Sequence, residues 1–233
     1  MSKASEKKIF AIGLVFVLSI AIIISYFIYR DKPSQENLTT SLSEEYLIKI
    51  IAFGDSLTAG YGVAQADAYP AQLEASLNKA GYKVRVINAG VSGETTRGNL
   101  ERAQFIRSQD PDLVILGIGG NDALRALPLE ETKKNISNTI DILRGGENPP
   151  AVLLLQIQAP LNAGISYKEE FDKIYTDISK TKKIKLISFI TPSIFLDPRN
   201  KLEDGIHFNK LGYEKVVEEY IFPLVREVIS ELN

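Results

Sequence analysis

Five residues in four short clusters carry the side chains and backbone groups that acyl transfer requires. Ser56 supplies a hydroxyl in Gly54-Asp55-Ser56-Leu57, and His207, the only histidine of 233 residues, stands in Asp204-Gly205-Ile206-His207. Acyl transfer needs a nucleophile, a base to take its proton, a group to orient that base, and donors aimed at the oxygen that becomes negative. Ser56 fits the first role, and its own backbone N–H can face the substrate carbonyl. His207 fits the second, because the ordinary pKa of an imidazole lies near neutrality. Asp204, three residues earlier, can curl back within one turn and hold the ring nitrogen that faces away from Ser56, which fixes the tautomer. Gly93, in Ala89-Gly90-Val91-Ser92-Gly93-Glu94, can offer a backbone N–H with no side chain in the way. Asn121, in Gly119-Gly120-Asn121-Asp122, can offer its side-chain amide as another oxyanion donor.

Each residue alone has an ordinary explanation: a helix cap, a turn carboxylate, a solvated histidine, a Gly-Gly turn. Their joint placement is what carries weight, and it depends on the elements between them. After residue 45 short apolar runs alternate with longer helix-period segments, the pattern of a parallel α/β layer structure. Five strands are predicted, Leu47–Phe53, Val84–Asn88, Leu113–Gly117, Val152–Gln156 and Lys185–Ile187. Helices are predicted near Tyr69–Ala80, Gly98–Gln109, Leu129–Arg144, Lys168–Thr181 and Lys210–Leu232, the last with a kink at Pro223. Ligands of an open α/β sheet bind beyond the carboxyl ends of the strands. The first three clusters follow the first three strands, and the fourth follows the last strand and opens the last helix, so all four fall on that edge.

The N-terminus reads as a separate object. Ile9 to Tyr29 is a run of 21 residues without a charge, about 31 Å long as a helix, which matches a bilayer core. It is longer than a usual signal-peptide core and no small-x-small pattern follows it, so it reads as an uncleaved single-pass anchor; a cleaved signal, giving a secreted protein, is the alternative. Lys3, Lys7 and Lys8 precede it and only Arg30 and Lys32 follow closely, which leaves residues 1–8 in the cytoplasm and the remainder outside the cytoplasmic membrane. Residues 30–45 are polar and aperiodic and read as a linker, leaving residues 46–233 as one catalytic domain.

Composition narrows the chemistry further. The chain has no cysteine, which excludes disulfides, thiolate metal sites and a cysteine nucleophile, and one histidine cannot make a two-histidine metal site. Lys and Arg total 27 against 29 Asp and Glu, so there is no global positive field for nucleic acid. Gly117-Ile118-Gly119-Gly120-Asn121-Asp122 starts like a dinucleotide fingerprint but has Asp122 where the third glycine belongs. The Gly-x-Ser-x-Gly elbow of α/β-hydrolases is also missing.

The blocks Gly54-Asp55-Ser56-Leu57-Thr58-Ala59-Gly60-Tyr61, Asn88-Ala89-Gly90-Val91-Ser92-Gly93-Glu94-Thr95, Gly119-Gly120-Asn121-Asp122 and Asp204-Gly205-Ile206-His207 resemble those of the GDSL or SGNH hydrolases. The likeness runs from Ile51 to the last helix and is nearest to the bacterial thioesterase, arylesterase and lysophospholipase branch. It implies a three-layer flavodoxin-like fold with a five-stranded parallel sheet. It also implies a serine esterase with Ser56, Asp204 and His207 as triad, an oxyanion hole of Ser56, Gly93 and Asn121, and no metal or cofactor. The expected partner is a small acyl ester, thioester or lipid, with the catalytic domain monomeric. The rival readings are a carbohydrate O-acetylesterase acting on cell-wall polymer and a non-catalytic binding module. Residues Ala159 to Ile165 are small and apolar enough to wall an acyl groove. Relatives in this branch often carry Pro after the histidine; Phe208 here is expected to change the cleft wall.

Overall fold

Runs of Ile, Leu and Val form one parallel sheet in the computed structural model, which describes residues 47–232. Its strands are β1 (Ile48–Gly54), β2 (Val84–Gly90), β3 (Leu113–Gly117), β4 (Ala151–Gln156) and β5 (Lys185–Ser188), in the order β2-β1-β3-β4-β5. All five residues of β3 are buried, as are Ile50 to Gly54 of β1, because helices cover both faces of a parallel sheet. The strand order reverses between β2-β1 and β3, so a crevice opens where the β1 and β3 loops depart in opposite directions.

Around the sheet run α1 (Ser56–Ala59), α2 (Tyr69–Lys79), α3 (Thr96–Arg107), α4 (Gly120–Leu124), α5 (Leu129–Leu143), α6 (Ile165–Lys182), α7 (Pro192–Phe195), α8 (Lys210–Val216) and α9 (Phe222–Ser230). Helix α2 touches α8 and α9, while α5 touches α3 and α6, which gives a helical layer on each side of the sheet. In α5 the buried residues Thr132, Asn135, Ile136, Thr139, Ile140 and Leu143 recur at three- and four-residue spacing, the stripe that a helix lays on a core.

The break expected at Pro223 in the last helix takes the form of a widened turn just before it. The helix divides into α8, a π-helical turn at Val217–Ile221, and α9, which has Pro223 in its first turn. Proline has no N–H to donate four residues back and its ring crowds that carbonyl. The wider turn, in which the Phe222 N–H reaches Val217 O, absorbs the misfit and restarts the helix with Pro223 where proline is tolerated.

One edge of the sheet is finished by side chains. On β2 the Val86 N–H donates to Glu74 Oε2 at 2.6 Å and the Val84 N–H to Asn78 Oδ1 at 3.2 Å, both from α2. Asn78 Nδ2 in turn donates to Val84 O at 3.2 Å.

The membrane segment expected over residues 9–29 and the linker over 30–45 lie outside the described residues. Among the described residues no helix is long and apolar enough to cross a membrane.

Candidate active site

The strand register builds a floor for the site. Gly54 pairs with Gly90 on one side and Gly117 on the other, so three glycines lie in a row across the ends of β2, β1 and β3. A Cβ on Gly54 would run into the Thr58 hydroxyl and the Gly117 carbonyl, and one on Gly90 into the backbone of Ala59. Helix α1 therefore sits directly on the strand ends, and Ser56 is its first residue. Asp55 caps it, with Oδ1 accepting the Leu57 N–H at 3.0 Å. The Tyr213 phenol from α8 donates to Leu57 O at 2.9 Å and ties this turn to the C-terminal helices.

Ser56 Oγ lies 2.8 Å from His207 Nε2, across 151 residues of sequence, and His207 Nδ1 lies 2.7 Å from Asp204 Oδ2. The other Asp204 oxygen accepts the N–H groups of Ile206 at 2.8 Å and His207 at 3.0 Å, so the carboxylate braces the loop that carries the imidazole. Burial pushes the Asp204 carboxyl up, but the His207 backbone N–H, the His207 ring and the Ile206 N–H outweigh it and hold the group below the usual carboxylate range. An antiparallel bridge between Lys201 and Phe208 closes this loop, with the Leu202 N–H on His207 O at 2.9 Å. The loop thus lies well after β5, behind α7 and a 3-10 turn, and α8 opens three residues past His207 under an Asn209 cap.

The Ser56 and Gly93 backbone N–H groups and the Asn121 carboxamide find no acceptor among the described residues. Gly93 has φ +82°, and a Cβ there would meet nothing, so the left-handed backbone rather than crowding calls for glycine. The Gly93 loop is pinned to α4 by Arg125 Nη2 on Gly93 O at 3.0 Å. Just beyond it, the buried carboxylate of Asp122 accepts from the Thr96 N–H at 2.8 Å and the Thr96 hydroxyl at 2.6 Å.

Beside Ser56 opens a cavity of about 310 Å³ lined by Leu57, Asn121, Leu124, Ile157, Ala159, Pro160, Leu161, Ile190, Phe195, Leu196 and Ile206, with Asp55, Gln158 and Lys168 as its longer polar side chains. Of the loop expected to wall a groove, Ala159 to Leu161 do so, while Ile165 stands outside and exposed. Phe208 does not reach the cleft wall. It is fully buried and packs edge-on against Phe189, Phe195 and Tyr213, because successive residues of an extended segment alternate faces and His207 takes the cleft side.

Two residues near the chemistry stand in the Gly54–Tyr61 block but receive no role from the sequence. The ring of Tyr61 lies 4.7 Å from the His207 imidazole, held there by the left-handed Gly60 that ends α1. Asp55 is almost wholly buried and, besides Leu57, accepts the Gly120 N–H on Oδ2 at 3.2 Å. Burial pushes its carboxyl up to about 6; the Leu57 and Gly120 amides and the charge of His207 oppose the rise, and Asp122 adds to it.

An arylesterase of Vibrio mimicus is 34% identical over 161 residues, covering 68% of this chain and 79% of the relative. The thioesterase 1/protease 1/lysophospholipase L1 of Escherichia coli K12 is 33% identical over 162 residues, 69% of this chain and 76% of that one. The crystal structure of the psychrotrophic esterase EstA from Pseudoalteromonas sp., inhibited by monoethylphosphonate, has a TM-score of 0.72 at 26% identity and covers 78% of this chain and 98% of that chain. The model of the GDSL-like lipase/acylhydrolase family matches residues 52–215, a span that takes in Ser56, Gly93, Asn121, Asp204 and His207 together with the strands that place them, and the chain belongs to that family.

Proposed function

We propose that this chain, a serine esterase, hydrolyses esters or thioesters of acyl groups longer than acetyl through an acyl-enzyme on Ser56. The observation that carries the reading is the continuous hydrogen-bonded chain Ser56 to His207 to Asp204 beside an apolar cavity. His207 Nε2 takes the Ser56 proton as Oγ attacks the acyl carbon, and Asp204 holds the imidazolium that forms. The carbonyl oxygen, now negative, is received by the Ser56 and Gly93 N–H groups and the Asn121 amide. His207 returns the proton to the leaving alcohol or thiol as the acyl–heteroatom bond breaks. Water then attacks the acyl-enzyme, giving its proton to His207, and the acid leaves as Ser56 is reprotonated.

The lining supports an acyl chain over an acetyl group because an apolar tail gains about 0.8 kcal/mol per buried methylene, whereas a sugar acetate would need polar surface around a small pocket. The same reading puts the domain outside the cytoplasmic membrane, anchored by residues 9–29 and tethered by 30–45, and working as a monomer.

The full chain in detergent, with p-nitrophenyl acetate, butyrate, octanoate and palmitate, tests this. Ser56→Ala should lower turnover on the order of 10⁴-fold or more, with butyrate or octanoate the best substrate. Turnover that survives in Ser56→Ala would refute the nucleophile, and acetate as best substrate would turn the reading toward polysaccharide O-acetyl groups. Protease treatment of intact cells should remove residues 46–233 while sparing the cytoplasm.

A further inference from the structure

Asp55 has no proton to move in acyl transfer, yet it is buried among the site's own loops. Its two oxygens take N–H groups from two different elements, Leu57 in the nucleophile turn at 3.0 Å and Gly120 at the head of the helix that carries Asn121, at 3.2 Å. These elements leave β1 and β3 in opposite directions; besides the strand register and the Asp55 N–H on Gly117 O at 3.3 Å, the Asp55 carboxylate is the link between them. We propose that Asp55 is a positioning residue whose carboxylate clamps the nucleophile turn to the oxyanion loop, and that protonating it loosens the clamp and weakens stabilisation of the oxyanion.

The inference rests on the acyl-transfer reading of Ser56 and Asn121. A carboxylate has acceptor capacity on both oxygens, whereas a neutral carboxyl has a hydroxyl on one. A proton on Oδ2 would set an O–H against the Gly120 N–H and halve the clamp. Gly120 fits this geometry, since a Cβ there would press on Asp55 Oδ2 at 2.9 Å. The charged and titratable groups around Asp55 are His207, whose positive form favours the carboxylate, and Asp122 on α4, which opposes it. The phenols of Tyr69 on α2, Tyr175 on α6 and Tyr213 on α8 also feel its charge, and burial pushes each of them up, so they stay neutral throughout the working range. The clamp therefore opens as pH falls through about 6.

The experiment compares wild type, Asp55→Asn, Asn121→Ala and the double variant with p-nitrophenyl butyrate from about pH 5 to pH 8.5. Asparagine has the shape of the protonated acid and one acceptor oxygen. At pH 8 Asp55→Asn should lower kcat about tenfold with KM within about twofold, the split expected of a defect felt in the transition state. The ratio of wild-type to variant kcat should shrink toward one at pH 5, and the double variant should lose less than the product of the single losses. A ratio constant with pH, or fully multiplicative losses, would overturn the clamp and leave Asp55 as a helix cap. Wild type alone gives a second measure: its acid limb should be steeper than the single-proton slope, and a slope of one refutes the inference even if the variant folds poorly. Loss of the acyl-transfer reading is separately visible, because Ser56→Ala would then retain turnover.

Discussion

Replacing Asp55 by Asn should change how stability depends on pH, in a direction opposite to the usual carboxylate. Most surface carboxylates have folded-state pKa values at or below the unfolded one and lend stability as pH rises. Asp55 is pushed from 3.8 up to about 6 by burial, a rise of about 2 pKa units, each worth about 1.4 kcal/mol. A carboxyl raised in this way contributes stability that is whole below its unfolded value and is lost as pH climbs through its folded value. The wild type should thus give up about 3 kcal/mol from this group between roughly pH 3 and pH 8, of which about 2 kcal/mol falls between pH 4 and pH 7. Asparagine cannot ionise, so the variant gives up none of it. The second amide left facing the asparagine NH₂ group costs about 1–3 kcal/mol, but at every pH alike. The measurable quantity is therefore the change in the variant-minus-wild-type difference, in which other titrating groups cancel. Urea unfolding followed by far-ultraviolet circular dichroism suits a chain with no tryptophan. The difference should move in favour of Asp55→Asn by about 2 kcal/mol from pH 4 to pH 7, and a flat difference would refute a buried carboxylate held ionised against its surroundings.

Asn121→Ala should lower kcat about 10²- to 10³-fold with little change in KM if its amide meets the oxyanion, which steady-state kinetics on butyrate would read. Asp204→Asn should cost about 10³-fold or more in kcat, read by the same kinetics, because the imidazole loses both its tautomer lock and its countercharge. Replacing Leu161 and Leu196 by Ser should cut kcat/KM for octanoate about tenfold while leaving acetate within about twofold, since both side chains line the cavity and a longer tail buries more apolar surface in it. Phe208→Ala should lower the unfolding free energy by about 3–5 kcal/mol in denaturant melts, as it empties the centre of an aromatic cluster.

The strands, the longer helices and the hydrogen-bonded set Ser56, His207 and Asp204 were legible because each is signalled locally: apolar runs, helical spacing, and polar clusters beyond strand ends. What escaped was set by distance through space. Helices α1 and α7 have four residues each, too few for a period to show. Pro223 announced a break, but whether the chain kinks or widens into a π turn depends on how α8 and α9 pack. Asp55 reads as a helix cap from its neighbours alone, and nothing along the chain says that an amide 65 residues later shares its carboxylate. The expectation that Phe208 alters the cleft wall came from its place next to His207, where relatives often carry Pro, and that place does not say which way the ring turns. Extended residues alternate, so the bridge with Lys201 turns it inward.

The finished edge of β2 bears on how the molecule keeps its own company. An outer strand with open N–H and C=O groups is a template on which another chain can lay a strand, whether in a swapped dimer or in an aggregate. Here the Val84 N–H and C=O and the Val86 N–H are already occupied by Asn78 and Glu74, and a newcomer would have to displace an amide and a carboxylate to bond at those positions. Helix α2 spends two of its polar positions on solubility rather than on the core or the chemistry.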